Sequence, residues 1–460
     1  MRRVCALIVS LSCSALLASE ARAQESTWLQ DRQYREGAGI RAGDFEIHPG
    51  VGAEFGYDSN YYMRHSDEDP IGSLRLRVSP HIAAATLGAQ RRDDGEQPSV
   101  NFRAELGATY NEFFPVHGGR NDADVDSMSN QRNIGGNLLL NLDIAPGREW
   151  SGNIYAGVER TIQATESGGL ESFGSEGTFN RLMPQAGAEL IWAPGSGMLD
   201  WRLGYEFTGT FFEDGNLSGV NNFRNDIITR GRWRFLPRTA LMYDARFGFI
   251  TYPDGASSSV NKTDSHPLRT RLGINGLVTP SFGVLGLVGW GSSFYTDDPQ
   301  DFDSLLAQAE LRWYFTPATT DDPGKVAATN SSIAVGFIRD FEDAYIGTYL
   351  ERDQGYVRFN YLFGGTFLLV IKGAAGAVVY PDQDAPDFGN GGGWTDIRVD
   401  GTLFGEWRIK DWIAANAELA YTGYFSDTVL DAGTTAGGVA NLNALGYNRI
   451  RVFIGARVFW

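Results

Sequence analysis

The stretch Tyr447-Asn448-Arg449-Ile450-Arg451-Val452-Phe453-Ile454-Gly455-Ala456-Arg457-Val458-Phe459-Trp460 decides the fold. In an extended chain, successive side chains point to opposite faces. Ile450, Val452, Ile454, Ala456, Val458 and Trp460 therefore share one face, and Arg449, Arg451, Phe453, Gly455, Arg457 and Phe459 share the other. Such a strand suits a wall with lipid on one side and water on the other, because an arginine facing lipid at the bilayer midplane costs about 2–4 kcal/mol.

The same two-residue period recurs upstream. Leucines and arginines alternate from Ser73 to Val78. Val100, Phe102, Ala104, Leu106, Ala108 and Tyr110 oppose Asn101, Arg103, Glu105 and Thr109. Trp201 to Thr208 and Leu241 to Phe249 repeat the pattern, and no comparable helical period competes with it. These segments run to a dozen residues or more, longer than most strands of soluble proteins. Their connections alternate between tight turns, such as Ala145-Pro146-Gly147 and Lys410-Asp411, and long polar loops, such as 253–265 and 381–393. Short turns on one side and long loops on the other are the asymmetry of outer-membrane barrels. The reading predicts an all-β, antiparallel, up-and-down transmembrane barrel of about 18 strands, within a range of about 16–20. One connection, from Thr316 to Asn330, is long on the side of the tight turns.

Residues 1–23 have a basic start at Arg2 and Arg3, an apolar stretch from Val4 to Ala18 and small residues around Ala21-Arg22-Ala23, the layout of a cleaved signal peptide. Residues 24–43 are expected as a polar periplasmic segment and 44–460 as the barrel. Cys5 and Cys13 both fall in the leader, which excludes a disulfide framework or thiol chemistry from the mature chain. A net charge of −17 argues against nucleic acid as a partner. Lysine is confined to Lys262, Lys325, Lys372 and Lys410, while glycine reaches 57 residues and aromatics 13%, a profile that fits a membrane barrel better than a soluble secreted protein.

Nothing in the sequence points to catalysis. The histidines, His48, His65, His81, His117 and His266, lie in no hydrolase or metalloprotease motif, and no phosphate-binding glycine loop is present. The expectation is a non-enzyme without cofactor or metal. Acidic residues gather in the long loops, at Asp67-Glu68-Asp69, Asp122 to Asp126, Asp297 to Asp303 and Asp382 to Asp387; their spacing is not that of a calcium loop.

The candidate site is the lumen. Arg75, Arg77, Arg230, Arg232, Arg234, Arg269, Arg271, Arg449, Arg451 and Arg457 are predicted on the inner face, where guanidinium groups attract carboxylates or phosphates. Glu105, Glu189, Glu206, Glu310 and Glu418 share that face, so ion pairing within the wall is the competing explanation.

Two short motifs add resemblances. Phe459-Trp460, an aromatic pair ending an alternating strand, resembles the signal by which the barrel-assembly machinery recognises outer-membrane barrels. Gly56-Tyr57-Asp58-Ser59-Asn60, closing the first long strand, resembles the turn that opens many outer-membrane porins of polysaccharide (exopolysaccharide and capsule) export systems. That resemblance implies a passive conduit in the bacterial outer membrane, secreting a polysaccharide handed over by a periplasmic polysaccharide-export protein. It also implies sugar-facing aromatics, for which Tyr155, Tyr314 and Tyr356 are the candidates. The alternatives are a general diffusion porin for small solutes and a structural or adhesive barrel acting through its loops.

Overall fold

The computed structural model describes residues 37–88, 98–118, 125–126, 128, 133–161, 180–195, 197–213, 215–255, 262–296, 301–315, 331–344, 348–381, 393–434 and 440–460. The expected leader, most of the segment 24–43 and the connection from Thr316 to Asn330 lie outside them, as do several of the acidic loop residues.

Eighteen strands form the wall: β1 (Phe45–Asp58), β2 (Gly72–Thr86), β3 (Val100–His117), β4 (Asn133–Ile144), β5 (Trp150–Thr161), β6 (Arg181–Trp192), β7 (Leu199–Phe212), β8 (Asn222–Leu236), β9 (Thr239–Thr251), β10 (Ser265–Thr279), β11 (Phe282–Tyr295), β12 (Phe302–Tyr314), β13 (Ser332–Asp343), β14 (Tyr349–Phe363), β15 (Phe367–Tyr380), β16 (Trp394–Lys410), β17 (Ile413–Phe425) and β18 (Tyr447–Phe459). Each pairs antiparallel with the next, and β18 pairs with β1 from Gly50↔Phe459 to Asp58↔Arg451, so the sheet has no free edge. Closure matters because an unpaired backbone edge cannot be satisfied in hydrocarbon. A three-residue strand, Ile40–Ala42, folds back on the start of β1, and a hairpin of Val429–Thr434 with Ala440–Ala444 rises between β17 and β18.

The shortest strands have 12 residues. At about 3.3 Å per residue and a tilt near 40°, 12 residues rise about 30 Å, enough to cross the apolar band. Side chains obey the alternation. Along β18, Ile450, Val452, Ile454 and Val458 are exposed on the outer surface, whereas Tyr447, Arg449, Phe453, Arg457 and Phe459 are buried inside. Aromatic residues ring both ends of the lipid-facing surface. Trp150, Trp233, Trp313 and Trp407 lie toward the tight turns; Phe114, Phe223, Phe294 and Phe425 lie toward the long loops. These are the two interfacial girdles of a membrane barrel.

Turn chemistry follows the same logic. The β14–β15 hairpin places Gly364 and Gly365 at φ 55° and 74°, a left-handed pair that a tight hairpin needs and that L side chains resist. One boundary differs from the sequence reading. β3 runs through Pro115 to His117, where proline reads in the sequence as a strand end. Its pairing with β4 begins only at Asn111, so the proline sits where one side of β3 has no ladder to disrupt.

Candidate functional site

The inner wall divides into two sectors. From β16 through β18 to β3 the inward side chains are packed out of water. Asp58 is fully buried, and its carboxylate accepts from Arg75 Nη1 at 2.8 Å, Arg449 Nε at 2.9 Å and Arg449 Nη2 at 2.6 Å. Below it, Glu54 pairs with Arg77 at 3.0 Å and accepts from Asn416 at 2.6 Å. Nearer the tight turns, Arg457 grips Glu406 through two bonds of 2.8 Å. The guanidinium of Arg77 lies 3.8 Å over the ring of Phe453, and that of Arg457 4.6 Å over Phe459. Charges this dry persist only when paired and hydrogen-bonded, and stacked arginines lose less on dehydration than lysines would.

The Gly56–Asn60 motif is the staple of the barrel seam. A side chain on Gly56 would collide with the Val452 carbonyl and the Phe453 ring of the last strand, so only glycine fits. Ser59 exchanges two hydrogen bonds with Ile450, its N–H donating to the Ile450 carbonyl at 2.9 Å and its hydroxyl accepting from Ile450 N–H at 2.8 Å. The Asn60 amide donates to Arg64 O at 2.7 Å and Asn448 O at 3.2 Å and accepts from Arg64 N–H at 3.0 Å. Asp58 ties β1 to β2 and β18 through Arg75 and Arg449. Tyr57 points outward, its hydroxyl 2.6 Å from His117 Nε2.

That staple turns the following loop, 59–71, into the barrel mouth. Tyr61, Tyr62, Met63 and Ile71 are buried, and the Tyr61 ring packs against the inward Phe113 with centroids 4.6 Å apart. Met63 belongs to one buried cluster with Ala344 and Leu350 at the β13–β14 tip, Val378 and Tyr380 of β15, Tyr424 of β17, and Leu445 and Tyr447 at the start of β18. From the opposite side, the Lys262 ammonium in the β9–β10 loop donates to the Ala344 carbonyl. Burial pushes that ammonium down to about 8, against the opposing pull of Asp343. Elements from three directions thus meet across the outer mouth.

The other sector, β5 to β15, keeps partly exposed polar side chains. Arg230 and Arg202 share Glu189 at 2.6 and 3.3 Å. Arg246 reaches Glu206 at 3.4 Å and Asp226 at 3.3 Å, and Arg271 reaches Asp244 at 3.4 Å and Asp340 at 3.5 Å. Two tyrosines use one device here. Tyr155 lies over Gly187 on the adjacent strand to donate to Glu206 on the next. Tyr356 lies over Gly336 and donates to Glu310 at 2.8 Å. A glycine opposite the ring lets it lie flat on the wall.

At least seven of the ten predicted lumen arginines pair with carboxylates among the described residues: Arg75, Arg77, Arg230, Arg269 (to Asp340, 3.2 Å), Arg271, Arg449 and Arg457. Arg234 donates from Nε to the Gly197 carbonyl at 3.0 Å, at a tight turn. Arg232 stands opposite Asp200 and Arg451 opposite Asp58 in strand register. The predicted acids are only part of the partner set. Glu54, Asp58, Asp244, Asp340 and Glu406 do as much, and alternation along β1, β9, β13 and β16 is the signal that puts them on the inner face. Of the terminal aromatics, Phe459 is buried inside the wall and Trp460 faces lipid.

The wall makes this chain a transmembrane β-barrel of the bacterial outer-membrane type, crossing the bilayer with strands. No protein-family model and no curated protein matches the sequence. Among solved structures, it is similar to the FrpB iron transporter of Neisseria meningitidis, at 10% identity over 92% of this chain and 82% of that one, with a TM-score of 0.43. It is also similar to OccK7 (OpdD) of Pseudomonas aeruginosa, at 8% identity over 91% and 99%, TM-score 0.45, and to OpdK of the same organism solved with vanillate, at 9% over 90% and 99%, TM-score 0.43.

Proposed function

We propose that this chain is an outer-membrane channel for small polar solutes, with its outer mouth narrowed by the infolded loop 59–71. The carrying observation is the two-sector wall: one side is packed dry, while β5 to β15 present partly exposed charges along a continuous strip. Barrels of 16–18 strands leave an aqueous channel unless something fills it, and among the described residues one side of the wall is packed and the other is not. The test is solute-dependent liposome swelling together with planar-bilayer conductance of the purified chain. Size-limited permeation of small solutes supports the reading, and an electrically silent, impermeable barrel ends it.

A polysaccharide-secretion conduit, supplied by a periplasmic export protein, is the second reading. It draws on the Gly56–Asn60 resemblance and on Tyr155 and Tyr356, whose rings lie flat on the wall in the manner that stacks on sugars. Against it, the motif is accounted for by the seam it staples, and loop 59–71 folds into the mouth. Deletion of the gene discriminates: loss of surface polysaccharide favours the conduit, and altered small-solute uptake with intact polysaccharide favours the solute channel.

A further inference from the structure

We infer that Arg358 on β14 and Lys372 on β15 form an oxyanion subsite on the open sector of the lumen, an inference that rests on the channel reading and names its substrate class. The two residues are direct cross-strand partners. Alternation puts both on the inner face, and both side chains are partly exposed. Like charges placed directly opposite each other on a sheet repel, so such a pair is ordinarily relieved by a carboxylate. Here none is at hand: among the described residues neither Arg358 nor Lys372 makes an ion pair.

The neighbouring acids are committed elsewhere. One row toward the outer mouth, Glu310 is held by Arg312 at 2.5 Å and by the Tyr356 hydroxyl at 2.8 Å. Asp400 on β16 is held by Arg398 through bonds of 2.8 and 3.2 Å. On either side of the two cations stand Ala334 and Thr402, a small residue and a hydroxyl, which leave room and one more donor. The contrast with the rest of the wall is the point, since at least seven of the ten arginines predicted there are matched to carboxylates. A guanidinium fork beside an ammonium recognises a carboxylate or a phosphate: the fork supplies paired donors and the ammonium a second charge. The subsite lies in the half of the barrel nearer the tight turns, below the infolded loop.

The test is the heat-unfolding midpoint of the full chain in detergent, read by gel mobility, with sodium phosphate, sodium succinate or a galacturonate trisaccharide, each matched in ionic strength by sodium chloride. Wild type is compared with R358Q/K372Q and with K372E, which converts the repulsive pair into an ion pair. The expected result is a midpoint raised by an oxyanion in wild type only, and a ligand-free K372E midpoint at or above that of wild type. A response to phosphate or succinate identifies small solutes as the source, and a response to the galacturonate alone identifies an acidic polymer. Equal shifts in all three proteins, or none in any, overturn the subsite. Because this readout needs no ion flow, a barrel that binds anions but does not conduct overturns the channel reading instead, leaving the subsite standing.

Discussion

Asp58→Asn is the most informative single substitution in this barrel. The carboxylate is fully buried and accepts three charge-assisted hydrogen bonds, from Arg75 at 2.8 Å and from Arg449 at 2.9 and 2.6 Å. Neutralising it leaves two buried guanidinium groups facing an amide, and breaking a buried pair in this way costs about 3–5 kcal/mol. The seam does not depend on Asp58 alone, since β1 and β18 share nine register pairs. The cost therefore falls on the packing of loop 59–71, whose Tyr61 ring covers both guanidinium groups at 5.3 and 6.0 Å. Carried wholly by the loop, about 3–5 kcal/mol changes the ratio of infolded to released loop by roughly two to four powers of ten. Two assays follow this: single-channel recording in planar bilayers and limited trypsin cleavage at Arg64, which is buried in the infolded loop. The variant is expected to keep its heat-modifiable gel shift, to gain cleavage at Arg64 and to conduct more. A variant with wild-type cleavage and wild-type conductance would refute the claim that the Asp58 cluster holds loop 59–71 in the mouth.

Four further outcomes are expected. Glu406→Gln strands the Arg457 guanidinium in a site where both side chains are 1–2% exposed, and should lower the unfolding midpoint by an amount corresponding to about 3–5 kcal/mol. Glu213→Gln, at the partly exposed rim pair with Arg160 (2.6 Å), should cost under about 1 kcal/mol in the same measurement. Gly56→Val should reduce the folded, heat-modifiable fraction on refolding into detergent, because the new methyls meet the Val452 carbonyl and the Phe453 ring; full recovery would show that the seam tolerates a side chain there. Lys262 predicts a pH effect. Its value when buried at the mouth is about 8 against an ordinary 10.5, so burial opposes the infolded packing while the group is charged in both states, and that penalty is relieved as pH rises from about 8 toward 10.5, by at most about 1.4 kcal/mol per pH unit. Open probability should fall over that window in wild type and not in Lys262→Met, measured by bilayer recording at constant salt.

The alternation of β18, repeated along the other long strands and punctuated by tight turns and long loops in alternation, was enough to read an antiparallel barrel of about 18 strands. A period of two fixes which face each residue takes, and membrane energetics then decide which face meets lipid. The ten arginines were assigned to the inner face for that reason. Their partners were only partly legible. Glu189 and Glu310 were assigned to the same face, but Asp340 of β13 reaches Arg269 of β10 across three strands, a relation set by tertiary geometry and not by period. Arg358 and Lys372 each sit on an alternating strand, yet their significance lies in standing directly opposite one another with no acid nearby, which depends on register.

By itself, then, the sequence determined the wall: two-residue periodicity is local, and a bilayer outside and water inside leave it one consistent solution. Tertiary structure alone decided the interior. Gly56 to Asn60 reads as a turn in one dimension and becomes a seam staple only because closure brings Ile450 and Asn448 beside it. Loop 59–71 reads as an outer loop and becomes part of the mouth because the clustered Asp58, Arg75 and Arg449 draw its aromatic residues inward. Packing across a lumen joins residues hundreds of positions apart, and no periodicity along the chain encodes which of them meet.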